Sequence, residues 1–184
     1  MRSFPRLAVS LLLIFCCAAN AAEPTIQVGI EKSGDVFIID TRFDFPVPLR
    51  MAWEVLTDYD NMAGILSNLT SSKVMERDEN TLRVQQAGVA KYGIISYSFV
   101  SEREVRLEPM KRILARQITG NAKQFSSEMD LTPDGNTTQV RYHAETIPDS
   151  ALARTFGGAF IQHEVEEQFT AMATEMLRRK TTAP

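Results

Sequence analysis

The chain has 184 residues, a formal charge of −3 and a hydrophobic fraction of 44%. That length suits one domain with a substantial core, and mild acidity with no basic cluster beyond Arg178-Arg179-Lys180 argues against nucleic acid as a partner. Both cysteines, Cys16 and Cys17, lie in the first segment, so the rest of the chain can build neither a disulfide nor a thiolate metal site.

Arg2 and Arg6, the apolar run "LAVSLLLIFCCAA" and the small-x-small "ANA" at 19–21 follow the order of a secretory signal peptide. Cleavage is expected before Ala22, so that residues 1–21 are removed and 22–184 form a single domain. The product would be secreted, or periplasmic in a bacterium. It would enter an oxidising compartment without disulfides and stand on packing alone. Phe15 before Cys16 does not suit a lipoprotein signal.

Next, "TIQVGIEKSGDVFIIDTRFDF" reads as two strands around a Ser33-Gly34-Asp35 turn. At "PVPLRMAWEVL" the period changes from two to helical, with Pro48 at a first helical position and Leu49, Ala52, Trp53 and Leu56 on one face. "TDYDN" ends that helix, and Asp60 is placed to cap a second short one. From about Ser71 to Ile147 come six strand candidates, separated by "RDEN", "AKYG", "EPMK", "GNA" and "PDGN". These separators are turn chemistry, and most are short enough for antiparallel neighbours. After Pro148 the chain reads as helix to Lys180, capped by Asp149 or Ser150, with a kink or a fresh start expected at Gly157-Gly158.

The last helix contains "HEVEE", one residue short of a zinc-protease signature, with Glu167 in place of the second histidine. On a helical wheel Ile161, Val165, Phe169, Met172 and Met176 share one face. His163, Glu164, Glu167, Thr170 and Thr174 fall opposite. The other histidine, His143, lies on a strand, so a three- or four-ligand site is not assembled. The expectation is a solvated helix face, with no metal and no cofactor.

The order of strand, two short helices, long antiparallel run and long terminal helix lets a curved sheet wrap around the last helix, an α+β architecture. A sheet so curved cannot touch the helix along its whole length, which leaves a cavity between them. At "VPLRMAWEVLTDYDNMAGILSNLTSSKV" (47–74) and "IPDSALARTFGGAFIQHEVEEQFTAMATEMLRR" the chain resembles the SRPBCC superfamily, the helix-grip fold shared by START lipid-binding domains. It is most similar to the polyketide cyclase/coenzyme Q-binding START-type group, over about 35–180. The resemblance implies an apolar cavity for lipids, isoprenoid quinones, polyketides or other hydrophobic ligands. The signal peptide and the extra strand at 25–32 depart from that pattern.

Strand alternation supplies the inward-facing candidates: Tyr97 and Phe99; Phe125 and Met129; Tyr142 and Ala144. The helix adds Ile161, Val165, Phe169 and Met172. Counting in twos from Phe99 also brings Arg103 inward, where it needs a carboxylate or a ligand's polar head. The alternative, which the strand's length favours, is a bulge near Ser101–Glu102 that turns Arg103 outward. Leu152, Phe156 and Phe160 form a second stripe. It would be a lip over the cavity, a transient membrane contact or, by slight preference, packing against the short helices. The inner phases offer Tyr97, Tyr142 and Arg103 but no convincing His, Asp or Glu. They therefore favour a carrier of hydrophobic small molecules over a cyclase-type enzyme. A protein-interaction module is a third reading.

Overall fold

Alternation of apolar and polar residues builds the sheet, most plainly in the second strand. There Phe37, Ile39, Thr41, Phe43 and Phe45 are buried while Asp40, Arg42 and Asp44 are exposed. A computed structural model describes residues 26–149 and 151–182. The expected signal segment lies outside the described residues. The chain forms β1 (Val28–Ser33), β2 (Val36–Phe45), α1 (Leu49–Leu56), a 3₁₀ turn (Tyr59–Asn61) and α2 (Met62–Ile65). Then follow β3 (Leu69–Asp78), β4 (Thr81–Tyr92), β5 (Ile95–Glu108), β6 (Arg112–Gly120), β7 (Ala122–Asp134), β8 (Thr137–Pro148) and α3 (Ala151–Thr182).

The eight strands make one curved antiparallel sheet in the order β1-β2-β8-β7-β6-β5-β4-β3. Short turns join β3 through β8 in sequence, and β2 closes back beside β8 with Ile39 opposite Ala144. The long helix α3 lies across the concave side. This is the α+β helix-grip architecture expected from the order of elements.

Three local expectations are corrected. Helix α1 starts at Leu49, because Pro48 keeps an extended ψ of 150° and caps the helix through its carbonyl, which accepts from Met51 and Ala52. Asp60 does not cap α2; its carboxylate accepts the Val74 backbone N–H at 2.8 Å and ties the corner to β3. Helix α3 runs through Gly157-Gly158 without a break. A Cβ on Gly157 would stand 3.2 Å from the Phe37 ring, so the missing side chain lets the helix approach β2.

The core gathers at the C-terminal half of α3. The Phe169 ring sits 4.7 Å from Phe43 and 5.1 Å from Tyr142, and Phe43 meets Phe45 edge-on at 5.0 Å. Ala173 and Met176 are fully buried beside Val47, Ala52 and Val55. The end of the helix is fastened by charge: Arg179 donates to Glu175 at 2.7 Å and to Asp58 at 2.8 Å.

Candidate functional site

At the N-terminal half of α3 the sheet and helix separate, and a cavity of about 380 Å³ opens between them. Leu69, Phe99, Phe125, Phe160, Ile161 and Val165 supply much of its apolar wall. Small residues make the room: Ser101 and Ala122 line it, and Gly88 lets the chain before β3 come close. A Cβ on Gly88 would fall 2.1 Å from the Asn68 carbonyl oxygen.

Of the residues expected in this site, Tyr97, Phe99, Arg103, Phe125, Tyr142, Ile161 and Val165 line the cavity. Phe160 lines it too, in place of the packing against the short helices that was preferred for its stripe; the side chains of Leu152 and Phe156 lie outside the described residues. Met129, Ala144, Phe169 and Met172 do not line it. Alternation gave them the correct face, but they lie farther along the sheet and helix, where the two close up. Met129, Ala144 and Phe169 belong to the buried core, and Met172 packs against it.

Arg103 points inward, against the preferred bulge. The irregularity is real, lying between Glu102 and Arg103 in the β5–β6 pairing, but the extra residue belongs to β6. Glu102 faces Thr119 and Arg103 faces Gln117, so Ile118 is the unpaired residue, and it is 46% exposed. The β4–β5 register runs uninterrupted, so β5 keeps its alternation through Phe99, Ser101 and Arg103.

Inside the cavity the Arg103 guanidinium donates to the Gln86 side-chain oxygen and lies 5.5 Å from the centre of the Phe125 ring. Gln86 is 4% exposed and fixed from behind: its amide donates to Ser72 Oγ at 3.0 Å, and Ser72 donates to the Tyr59 carbonyl. Gln86 escaped the sequence reading, although Leu82 and Val84 set the phase that carries it inward. Burial lowers the Arg103 pKa and raises that of Tyr142. Burial also pushes Tyr59 up to about 12, and burial followed by the hydrogen bond to Asp149 pushes Tyr97 up to about 12.

The "HEVEE" face also needs correction. His163 and Glu167 lie on an outer groove, but Glu164 is 7% exposed, because the corner between α2 and β3 folds over that side of α3. Asn68 Nδ2 donates to Glu164 Oε2 and Ser67 Oγ to Glu167 Oε1, both at 2.7 Å. Burial raises the Glu164 pKa. The ligand atoms of His163, Glu164 and Glu167 come within 4.8 Å of one another; His163 Nε2 is 3.5 Å from Glu167, and Glu164 Oε1 is buried without a hydrogen-bond partner among the described residues.

A sheet gripping a long helix over an internal cavity defines the helix-grip class, of which START domains are one branch. Residues 37–180 match the family model described as polyketide cyclase/dehydrase and lipid transport, and the chain belongs to that family. A comparison with curated proteins gives no match. Among solved structures, the Zhui aromatase/cyclase from a Streptomyces species is similar at 19% identity and a TM-score of 0.69, over 78% of this chain and 95% of that one. Human STARD10 is similar at 13% identity and a TM-score of 0.62, over 83% and 73%. A STAR-related lipid transfer protein from Xanthomonas axonopodis is similar at 8% identity and a TM-score of 0.60, over 84% and 98%. At these identities the likeness is one of fold.

Proposed function

We propose that this protein is a secreted or periplasmic carrier that holds one hydrophobic small molecule in the cavity between the sheet and α3. The observation that carries the reading is the cavity wall itself: most of its surface is apolar, and polar side chains, among them Arg103, Gln86 and Tyr142, interrupt it. Each Å² of apolar ligand surface removed from water there contributes about 25 cal/mol, while the polar groups orient the molecule. A volume of about 380 Å³ is near the lower end for small-molecule sites, which suits a single-chain or few-ring ligand. The N-terminal pattern of Arg2, Arg6, the apolar run and "ANA" supports the proposed location.

The chemistry of the wall favours carriage over catalysis. Among the described residues lining it there is no Asp, Glu or His. Tyr97 is held protonated with a pKa near 12, and burial shifts Tyr142 in the same direction, so neither serves as a base at neutral pH. The test is extraction and mass spectrometry of what co-purifies with the protein, alongside titration with a neutral fluorescent apolar probe. Binding at one probe per chain, competed by the extracted molecule, is expected. Turnover of a co-purified compound, or an empty protein that ignores the probe, would overturn the reading.

A further inference from the structure

The cavity contains a cation whose counter-charge is missing. Among the described residues no carboxylate forms an ion pair with Arg103. Its chain neighbours Glu102 and Glu104 point to the opposite face of β5, where Arg83 and Arg116 engage them. What the fold does supply is the neutral Gln86 amide, already held by Ser72. Arg103 Nε is buried and, among the described residues, has no hydrogen-bond partner. The nearby Tyr59 and Tyr142 remain neutral, since burial opposes their ionisation.

A guanidinium buried beside an aromatic ring, with an unmet N–H and no anion, is costly to keep. The contacts with the Gln86 amide and the Phe125 ring offset only part of that cost. An occupant bearing an anionic oxygen would satisfy the Nε–H and neutralise the charge together, and the planar fork of arginine suits carboxylate and phosphate groups. The apolar remainder of the wall, with Phe99, Ile161 and Val165, would take the tail.

We propose that the ligand is an acidic amphiphile, with an apolar body in the cavity and an anionic oxygen head seated on Arg103. This deepens the carrier reading and rests on it. A neutral ligand would leave the guanidinium without its counter-charge.

The experiment uses the purified, delipidated protein and displacement of a neutral fluorescent apolar probe at mildly alkaline pH. The competitors are dodecanoate, dodecyl phosphate and dodecanol, each kept below its micelle concentration. At least one of the two anions should displace the probe about tenfold more effectively than dodecanol, and the better of them identifies the head as carboxylate or phosphate. In Arg103→Met that preference should vanish while the unliganded protein melts no lower than wild type. Equal displacement by all three competitors in wild type would overturn the proposal without touching the carrier reading, and it needs no variant to fold. A preference that survives in Arg103→Met would overturn it too. Failure of the probe itself to bind would remove the carrier reading, and this inference with it.

Discussion

The two halves of α3 face the same sheet and meet it differently. From Phe169 to Arg179 the helix is in contact: Phe169, Ala173 and Met176 fill the space to Phe43 and Phe45, and the Glu175–Arg179–Asp58 network holds the end down. From Gly157 to Gln168 the same helix stands over a cavity, with Phe160, Ile161 and Val165 on its near side. Two carboxylates of α3, neither of them in the cavity wall, also differ. Burial raises the pKa of Glu164, whereas hydrogen bonds from Arg178 and then Arg179 outweigh desolvation at Glu175 and bring it down to about 2. The grip is therefore local. One end is packed core, and the other borders the cavity.

The contrast can be broken most severely at the packed end. Phe169→Ala should cost about 3–5 kcal/mol in chemical denaturation, since a phenyl ring leaves a void beside Phe43 and Tyr142. Probe affinity per folded molecule should change little. Ala144→Trp should lose about 1–3 kcal/mol by overpacking, because Ala144 is fully buried between Ile39 and Ser127. Unchanged stability in that variant would place the cavity at Ala144 and undo the division.

At the open end the measured quantity switches. Val165→Phe should reduce apolar probe binding about tenfold or more while altering stability by less than about 1.5 kcal/mol, because the added volume enters a space that is already there. A large loss of stability with binding intact would show Val165 to be core.

The carboxylates sharpen the comparison by pH. The Glu175 contribution is fully present above the ordinary carboxylate value of 4.5 and is lost as pH falls through about 2. Glu175→Gln should therefore lose about 1–2 kcal/mol at neutral pH, discounted for the exposed Arg178, and match wild type in strong acid. Glu164 has the opposite sign. Its raised pKa favours the folded state at low pH, and that advantage fades as pH rises from 4.5 through the folded value. Glu164→Gln should gain on wild type in melting temperature as pH rises across that window. A gap that narrows instead would mean that Glu164 is not desolvated.

The fold was largely legible because its signals are local. Gly34, with a φ of +61°, turns the first hairpin, and the alternation of Phe37, Ile39, Phe43 and Phe45 sets the inner face without any knowledge of neighbours. The site was legible only in part, because alternation tells which face a residue occupies and not how near the opposite wall stands. Ala144 and Thr146 share a face of β8, yet the first is core and the second lines the cavity. Arg103 depended on which strand of a pair carried the bulge, a fact of pairing that one strand does not contain. Glu164 depended on the α2–β3 corner folding over the helix, which a helical wheel omits. Gln86 was within reach, its phase being set by Leu82 and Val84 four and two residues earlier.

The central claim is that the space at the open end belongs to a hydrophobic ligand. Native mass spectrometry of wild type and Val165→Phe, purified in parallel, tests it most directly. The account predicts a small apolar molecule on wild type at one per chain, lost or strongly depleted in Val165→Phe while both proteins stay folded. A wild-type protein that carries nothing and takes up no added apolar probe would contradict it.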